Sequence, residues 1–133
     1  MRAAVLLTFA LLLPSSGVAR CLAYEPATVS LVGTLTSKVF PGPPNYASIA
    51  EGDRAETVVI LVLEAPFCLT GDPSSQLNTE SLTGITEVQL SGDLAQAVQL
   101  IGNRVRATGS LSGGITGHDR TRVLLEVSVL EAA

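Results

Sequence analysis

Residues 28–36 alternate: Val29, Leu31, Gly33 and Leu35 fall on one side, and Thr28, Ser30, Thr34 and Thr36 on the other, with Val32 the exception. A period of two predicts a strand with one buried face. Residues 57–63 are continuously apolar and β-branched, which predicts a strand covered on both faces, ended by Ala65-Pro66. Residues 85–90 predict a short strand with Val88 and Leu90 inward and Glu87 and Gln89 outward. A helical period follows. Leu94, Ala97, Val98 and Ile101 share one face, Ser91 is the expected N-cap, Asp93 sits in the first turn, and Gly102 is the stop. Residues 104–112 alternate again, with Val105, Ala107, Gly109 and Leu111 inward. Residues 121–130 give the last strand, with Val123, Leu125, Val127 and Val129 inward.

The order is β-β-β-α-β-β. A mainly β, five-stranded OB-fold-like barrel with one short helix has this order, and an α+β sandwich is the rival. Gly33 and Gly109 favour the barrel, because a glycine inside a strand marks a bulge or a tight bend.

The N-terminus follows a different rule. Met1-Arg2 is positively charged, and residues 3–13 are apolar except for Thr8. Pro14-Ser-Ser-Gly17 breaks the run, and Gly17-Val18-Ala19 fits the small-x-small cleavage rule. Residues 1–19 therefore read as a signal peptide, leaving one domain over residues 20–133 and a periplasmic or secreted protein with no membrane anchor. An apolar run of eleven residues is shorter than the ~20 that span a bilayer. In an oxidising compartment, the two cysteines predict a disulfide, Cys21–Cys68; two free thiols are the alternative.

Composition narrows the function. The chain has 133 residues, 47% of them hydrophobic and 15% charged, with a formal net charge of −4. It has no basic run, which argues against nucleic acid as a partner. One histidine and two cysteines are too few for a zinc cage, so neither a metal nor a cofactor is expected.

Two loops stand out, and in an OB-fold both would flank the ligand face of the second and third strands. Residues 40–56 hold Phe40-Pro-Gly-Pro-Pro-Asn-Tyr46, stiffened by Pro41, Pro43 and Pro44. Asn45 and an exposed Tyr46 are candidate contacts; alternatively Phe40, Tyr46 and Ile49 pin the loop to the barrel end. Glu51-Gly-Asp-Arg54 reads as a plain turn. Residues 113–120 carry His118, the only histidine, with Asp119 and Arg120. His118 and Arg120 are candidate contacts, and a solvated turn with a local Asp119–arginine pair is the alternative. Arg104, Arg106, Arg120 and Arg122 either form a cationic stripe or are separately solvated.

The segments Tyr24-Glu-Pro26, Phe40-Pro-Gly-Pro-Pro-Asn-Tyr46, Gly52-Asp53, Cys68, Val88-Gln-Leu90, Thr116-Gly-His118 and Val123-Leu-Leu125 resemble the domain of unknown function 4431 family of small secreted bacterial proteins. The glycine-spaced strands around Gly33 and Gly109 fit the same pattern. The resemblance runs from about Cys21 to Val129. It implies export and a small β-domain, and no known activity. Family members often carry further histidines after Thr-Gly-His, where this chain has Asp119 and Arg120. That departure weakens a metal or proton-transfer role for the loop.

The leading expectation is a non-enzymatic binding module for an unknown protein or small ligand of the cell envelope, with Asn45, Tyr46, His118 and Arg120 at the binding pole. An envelope accessory protein, or an inhibitor that plugs the cleft of a lytic enzyme, is the alternative. A hydrolase pairing His118 with Asp53 or Asp119 is the third reading.

Overall fold

The computed structural model describes residues 20–133. Residues 1–19, read above as a signal peptide, lie outside the described residues. The elements are β1 (Leu22–Ala23), β2 (Val29–Pro41), β3 (Ala55–Thr70), β4 (Leu82–Gly92), α1 (Ala97–Leu100), β5 (Arg104–Gly113) and β6 (Val123–Ala132).

β2 pairs antiparallel with β3 and β5, β3 with β4, and β5 with β6. A parallel β4–β6 ladder closes the ring. β2 to β6 thus form a closed five-stranded barrel in the OB-fold order, with the helix between the third and fourth barrel strands. β1 is an addition the sequence pattern missed: two residues pair parallel with the end of β3.

Alternation fills the barrel. Leu35, Leu61 and Val88 form one row across β2, β3 and β4 and are fully buried. Val105, Ala107, Leu111, Val123 and Leu125 close the core from β5 and β6. Gly33 and Gly109 stand where strands cross closely. A Cβ on Gly33 would strike the carbonyl oxygen of Val62, and one on Gly109 that of Glu126. The disulfide Cys21–Cys68 is formed, as expected, and ties the start of the described chain to β3. It indicates an oxidising compartment. Among the described residues, no helix is long and apolar enough to cross a membrane.

Three local expectations fail. The helix spans only four residues; Ser91 belongs to β4, and the N-cap is Gln96 without a side-chain bond. Asp93 instead bonds the Ala95 N–H at 3.1 Å in a local turn, as short polar side chains do when they compete with helix. Of the expected helical face, Ala97 is buried and Leu94 packs on the core, but Val98 is 79% exposed. Gly102, at φ +87°, does end the element.

The second failure is the end of β3, which runs on through Ala65-Pro66. The β3–β4 register shifts between Val62 and Phe67, and β2 pairing ends at Leu63, so Pro66 removes no ladder bond. The third is Val129. A register shift between Thr108 and Gly109 leaves Ser128 as the extra residue of β6, so the inward parity flips. Leu130 packs inward and Val129 is exposed.

Candidate functional site

The two unusual loops meet at one pole of the barrel. The first, residues 42–54, is shaped from within. The Gly42 N–H bonds the Arg54 carbonyl at 2.6 Å, and the Tyr46 N–H bonds the Gly42 carbonyl at 2.9 Å. Asp53 is buried, and its carboxylate accepts the backbone N–H groups of Asn45, Ala47 and Ser48 at 2.8–2.9 Å. The segment read as a plain turn therefore contains the organising residue of the loop. Ile49 does not pin the loop, since it is exposed.

The N–H groups of Ser48, Ala47 and Asn45 hold the Asp53 carboxyl below the ordinary aspartate value. A depressed folded-state pKa stabilises the fold above the unfolded value of about 4 and loses that contribution as pH falls through the folded value. Asp53→Asn keeps one acceptor but places an NH2 group among backbone donors. The variant is expected to be less stable than wild type at neutral pH, with the gap narrowing below about pH 4. Urea unfolding at both pH values reads this; a gap independent of pH would assign the effect to shape and not charge.

The second loop, residues 114–122, folds onto the outside of the barrel. Its Asp119 pairs with neither arginine; Asp119 Oδ2 accepts the Ile115 and Thr116 N–H groups at 2.8 and 2.9 Å. Gln89 points outward from β4, as its alternation predicts, yet it is buried beneath this loop. Its Oε1 accepts the Arg120 N–H at 2.6 Å, and its Nε2 donates to the His118 carbonyl at 3.1 Å.

Arg120 then crosses the outer face. Its backbone is tied to Gln89, which stands opposite Ile60, and its Nη2 donates to the Pro41 carbonyl at 2.8 Å. β3 lies between those two anchors. The side chain thus runs along the outer row Ile60, Val58, Glu56. Its guanidinium stacks on Phe40 at 5.1 Å and Tyr46 at 5.5 Å and lies 3.5 Å from Glu56 Oε1. Val58 is only 7% exposed and Ile60 1%, although both face outward. This explains the continuously apolar run: its outer half is roofed by Arg120 and its loop. It also means that part of the face where OB-fold ligands lie is occupied by the chain itself. A cleft of about 230 Å³ between β4 and this loop, lined by Ile85, Glu87, Arg120 and Thr121 among others, remains open beside it.

No cationic stripe forms. The Arg120 side chain is only 11% exposed, and Arg104 is paired with Glu64 on the barrel wall.

The candidate residues Tyr46, His118 and Arg120 come together; Asn45 is exposed beside Tyr46 on the same loop. His118 Nδ1 meets Glu56 Oε2 at 2.8 Å, and His118 Nε2 meets the Tyr46 hydroxyl at 3.3 Å. The two rings stand edge to face at 5.6 Å. Neither Asp53 nor Asp119 bonds the imidazole: both oxygens of Asp53 and the Oδ2 of Asp119 accept backbone N–H groups, and Glu56 is the carboxylate that meets His118. Glu56, Phe40 and Gln89 were missed as site residues. The signal for Glu56 is its place opposite Phe40 in the β2–β3 hairpin, which becomes readable once the register is known.

Tyr46 is held in an uncommon way. It is the one non-glycine residue with positive φ among the described residues, at +53°. Its ring lies against Gly117, where a Cβ would sit 3.0 Å from Cε1 and Cζ. Glycine at 117 is what lets the two loops close on each other. Among the described residues, no group of three or more metal-ligating side chains occurs.

No curated protein matches the chain. Residues 87–131 match the sequence model of a domain of unknown function (DUF4431). The matched stretch runs from β4 into β6 and includes the loop with His118 and Arg120, while Asn45, Tyr46 and Glu56 lie outside it. Through this C-terminal stretch of the barrel, the chain resembles the DUF4431 family.

Proposed function

We propose that the protein is a periplasmic or secreted, non-enzymatic binding module that engages its ligand at the loop pole, through Asn45, Tyr46, His118 and the rim of Arg120. The observation that carries this reading is the posture of Tyr46. A bulky residue at positive φ costs on the order of 1 kcal/mol or more and persists only where its surroundings over-determine it. Here Asp53, Gly117, His118 and Arg120 all serve to hold one aromatic side chain that is still 37% exposed. The disulfide and the N-terminal apolar pattern support the compartment.

The test compares capture from periplasmic extract by wild type and by a Tyr46→Ala, His118→Ala variant of matched melting temperature. A partner held by wild type and lost by the variant is expected. Equal capture by both overturns the pole as the binding surface.

A second reading is favoured by the stiffness of residues 42–54, where prolines and the Asp53 bonds fix one shape. A rigid protruding loop suits an inhibitor that fills an enzyme cleft. A 1:1 complex with a lytic enzyme of the cell envelope, with loss of that enzyme's activity, is the outcome that distinguishes it from small-ligand binding.

A further inference from the structure

Glu56, His118 and Tyr46 form a chain of contacts with a direction. The carboxylate of Glu56 is a pure acceptor, so His118 Nδ1 carries the proton in that 2.8 Å bond. The Nε2 lone pair then faces the Tyr46 hydroxyl, which donates to it across 3.3 Å. Arg120 holds the other oxygen of Glu56 and lies over the tyrosine ring. This is the connectivity of a nucleophile, a base and the group that orients the base, with a phenol as the nucleophile. The phenol is reachable, since Tyr46 and His118 are both exposed. The weakness the sequence suggested for a proton-transfer role, aspartate and arginine in place of further histidines, is made good by a glutamate from another strand.

We propose that Tyr46 is a covalent acceptor site for an acyl group delivered by an activated carboxylic ester. The phenol oxygen attacks the carbonyl carbon while its proton passes to His118 Nε2. The resulting imidazolium is stabilised by the Glu56 carboxylate. The tetrahedral adduct collapses, the ester's C–O bond breaks, and the departing oxygen takes the proton from Nε2. The products are an aryl ester on Tyr46 and a free alcohol, and the imidazole returns to its starting state. His118 is the base, and Glu56 is a positioning residue that acts through it. One transfer per chain is a modification and not a turnover. It goes beyond the binding proposal and needs no partner at the pole.

The sequence supplies its own control. Tyr24 is the other of the two tyrosines; it is buried, and its hydroxyl donates to the Glu80 carbonyl at 2.8 Å. Burial pushes its phenol above the ordinary value, which makes it a poorer nucleophile.

The experiment treats the purified protein with p-nitrophenyl acetate at neutral pH, following nitrophenol release, intact mass and peptide mapping. N-acetyltyrosinamide is the reference phenol. One acetyl group on Tyr46 and none on Tyr24 is expected. General-base assistance is worth roughly 100-fold or more when fully aligned, so a rate at least about tenfold above the reference phenol is expected here. A solvent deuterium isotope effect should accompany it. His118→Gln should return the rate to the reference value and abolish the isotope effect. Glu56→Gln, which keeps an acceptor and removes the charge, should slow the reaction several-fold with the isotope effect retained. Gly117→Ala removes no reacting group but displaces the tyrosine ring, and should slow labelling as well. Three results overturn the proposal: a wild-type rate equal to the reference phenol, an unchanged rate in His118→Gln, or undiminished nitrophenol release from Tyr46→Phe, which would make the imidazole itself the acceptor.

Discussion

A Cys21→Ser, Cys68→Ser variant is expected to lose about 2–5 kcal/mol of unfolding free energy, the usual range for removing a native disulfide from a small domain. The two cysteines are 47 residues apart in sequence, and the chain-entropy relation for such a loop gives roughly 4 kcal/mol. Local structure enlarges the role. β1 has only two residues, paired parallel to the last two residues of β3, and short parallel pairing is weak. Tyr24, one residue further on, is part of the core. The bond therefore holds a segment that delivers a core side chain but has little pairing of its own. Urea unfolding with and without reductant measures the effect, and reduced wild type should match the double variant. A loss below about 1 kcal/mol would mean that Tyr24 packing alone seats this segment.

Gly109→Ala should cost about 3 kcal/mol, the upper end of what overpacking does, and Gly33→Ala a similar amount. In each case the new methyl group would meet a backbone carbonyl of the neighbouring strand, at Glu126 or Val62, and not a side chain that can turn away. Relief requires the paired strands to separate, which loosens the β5–β6 or β2–β3 ladder. Gly84 provides the contrast. Its φ is +64° with open space around the missing Cβ, so alanine there pays only the left-handed backbone penalty of roughly 1–2 kcal/mol. Thermal and urea unfolding of the three variants should rank Gly109 and Gly33 well above Gly84. Equal losses would overturn the steric account.

Much of this architecture is legible in the chain because a period of two is a strong signal over five or more residues. The inward sets of β2 and β5, the outward Gln89 and the two strand glycines follow from local pattern, and the disulfide from a count of two cysteines in an oxidising compartment. The failures have a common cause, which is that pairing is decided by the neighbouring strand. Val129 changes face because of a shift opposite Thr108, and Pro66 continues a strand because no partner needs its N–H. The helix expected over residues 94–101 shrinks to Ala97–Leu100, because β4 takes the expected N-cap Ser91 and Asp93 makes a local turn in place of the first helical turn. At the pole, the sequence singles out Tyr46, His118 and Arg120 by their rarity. Glu56 escapes notice, and Phe40 is read only as a loop anchor, because their importance lies in standing side by side across a hairpin whose register is not written in either strand. Asp53 is singled out only as a possible partner of His118, and its role in organising the loop is hidden because a buried carboxylate bonded to backbone looks like any turn aspartate in sequence.

The closing ladder also dictates an order of events. β6 is the partner of both β4 and β5, and residues 123–132 are the last of the barrel to be synthesised. Until they emerge, β4 and β5 each present an unpaired edge and the ring stays open. The two ladders of β6 are therefore made late, and the one to β4 joins segments distant in sequence, which slows the search for the native state. On the export route proposed above, in which the chain crosses a membrane before it folds, that delay is an advantage. The price is a period in which two exposed edges invite pairing with other chains.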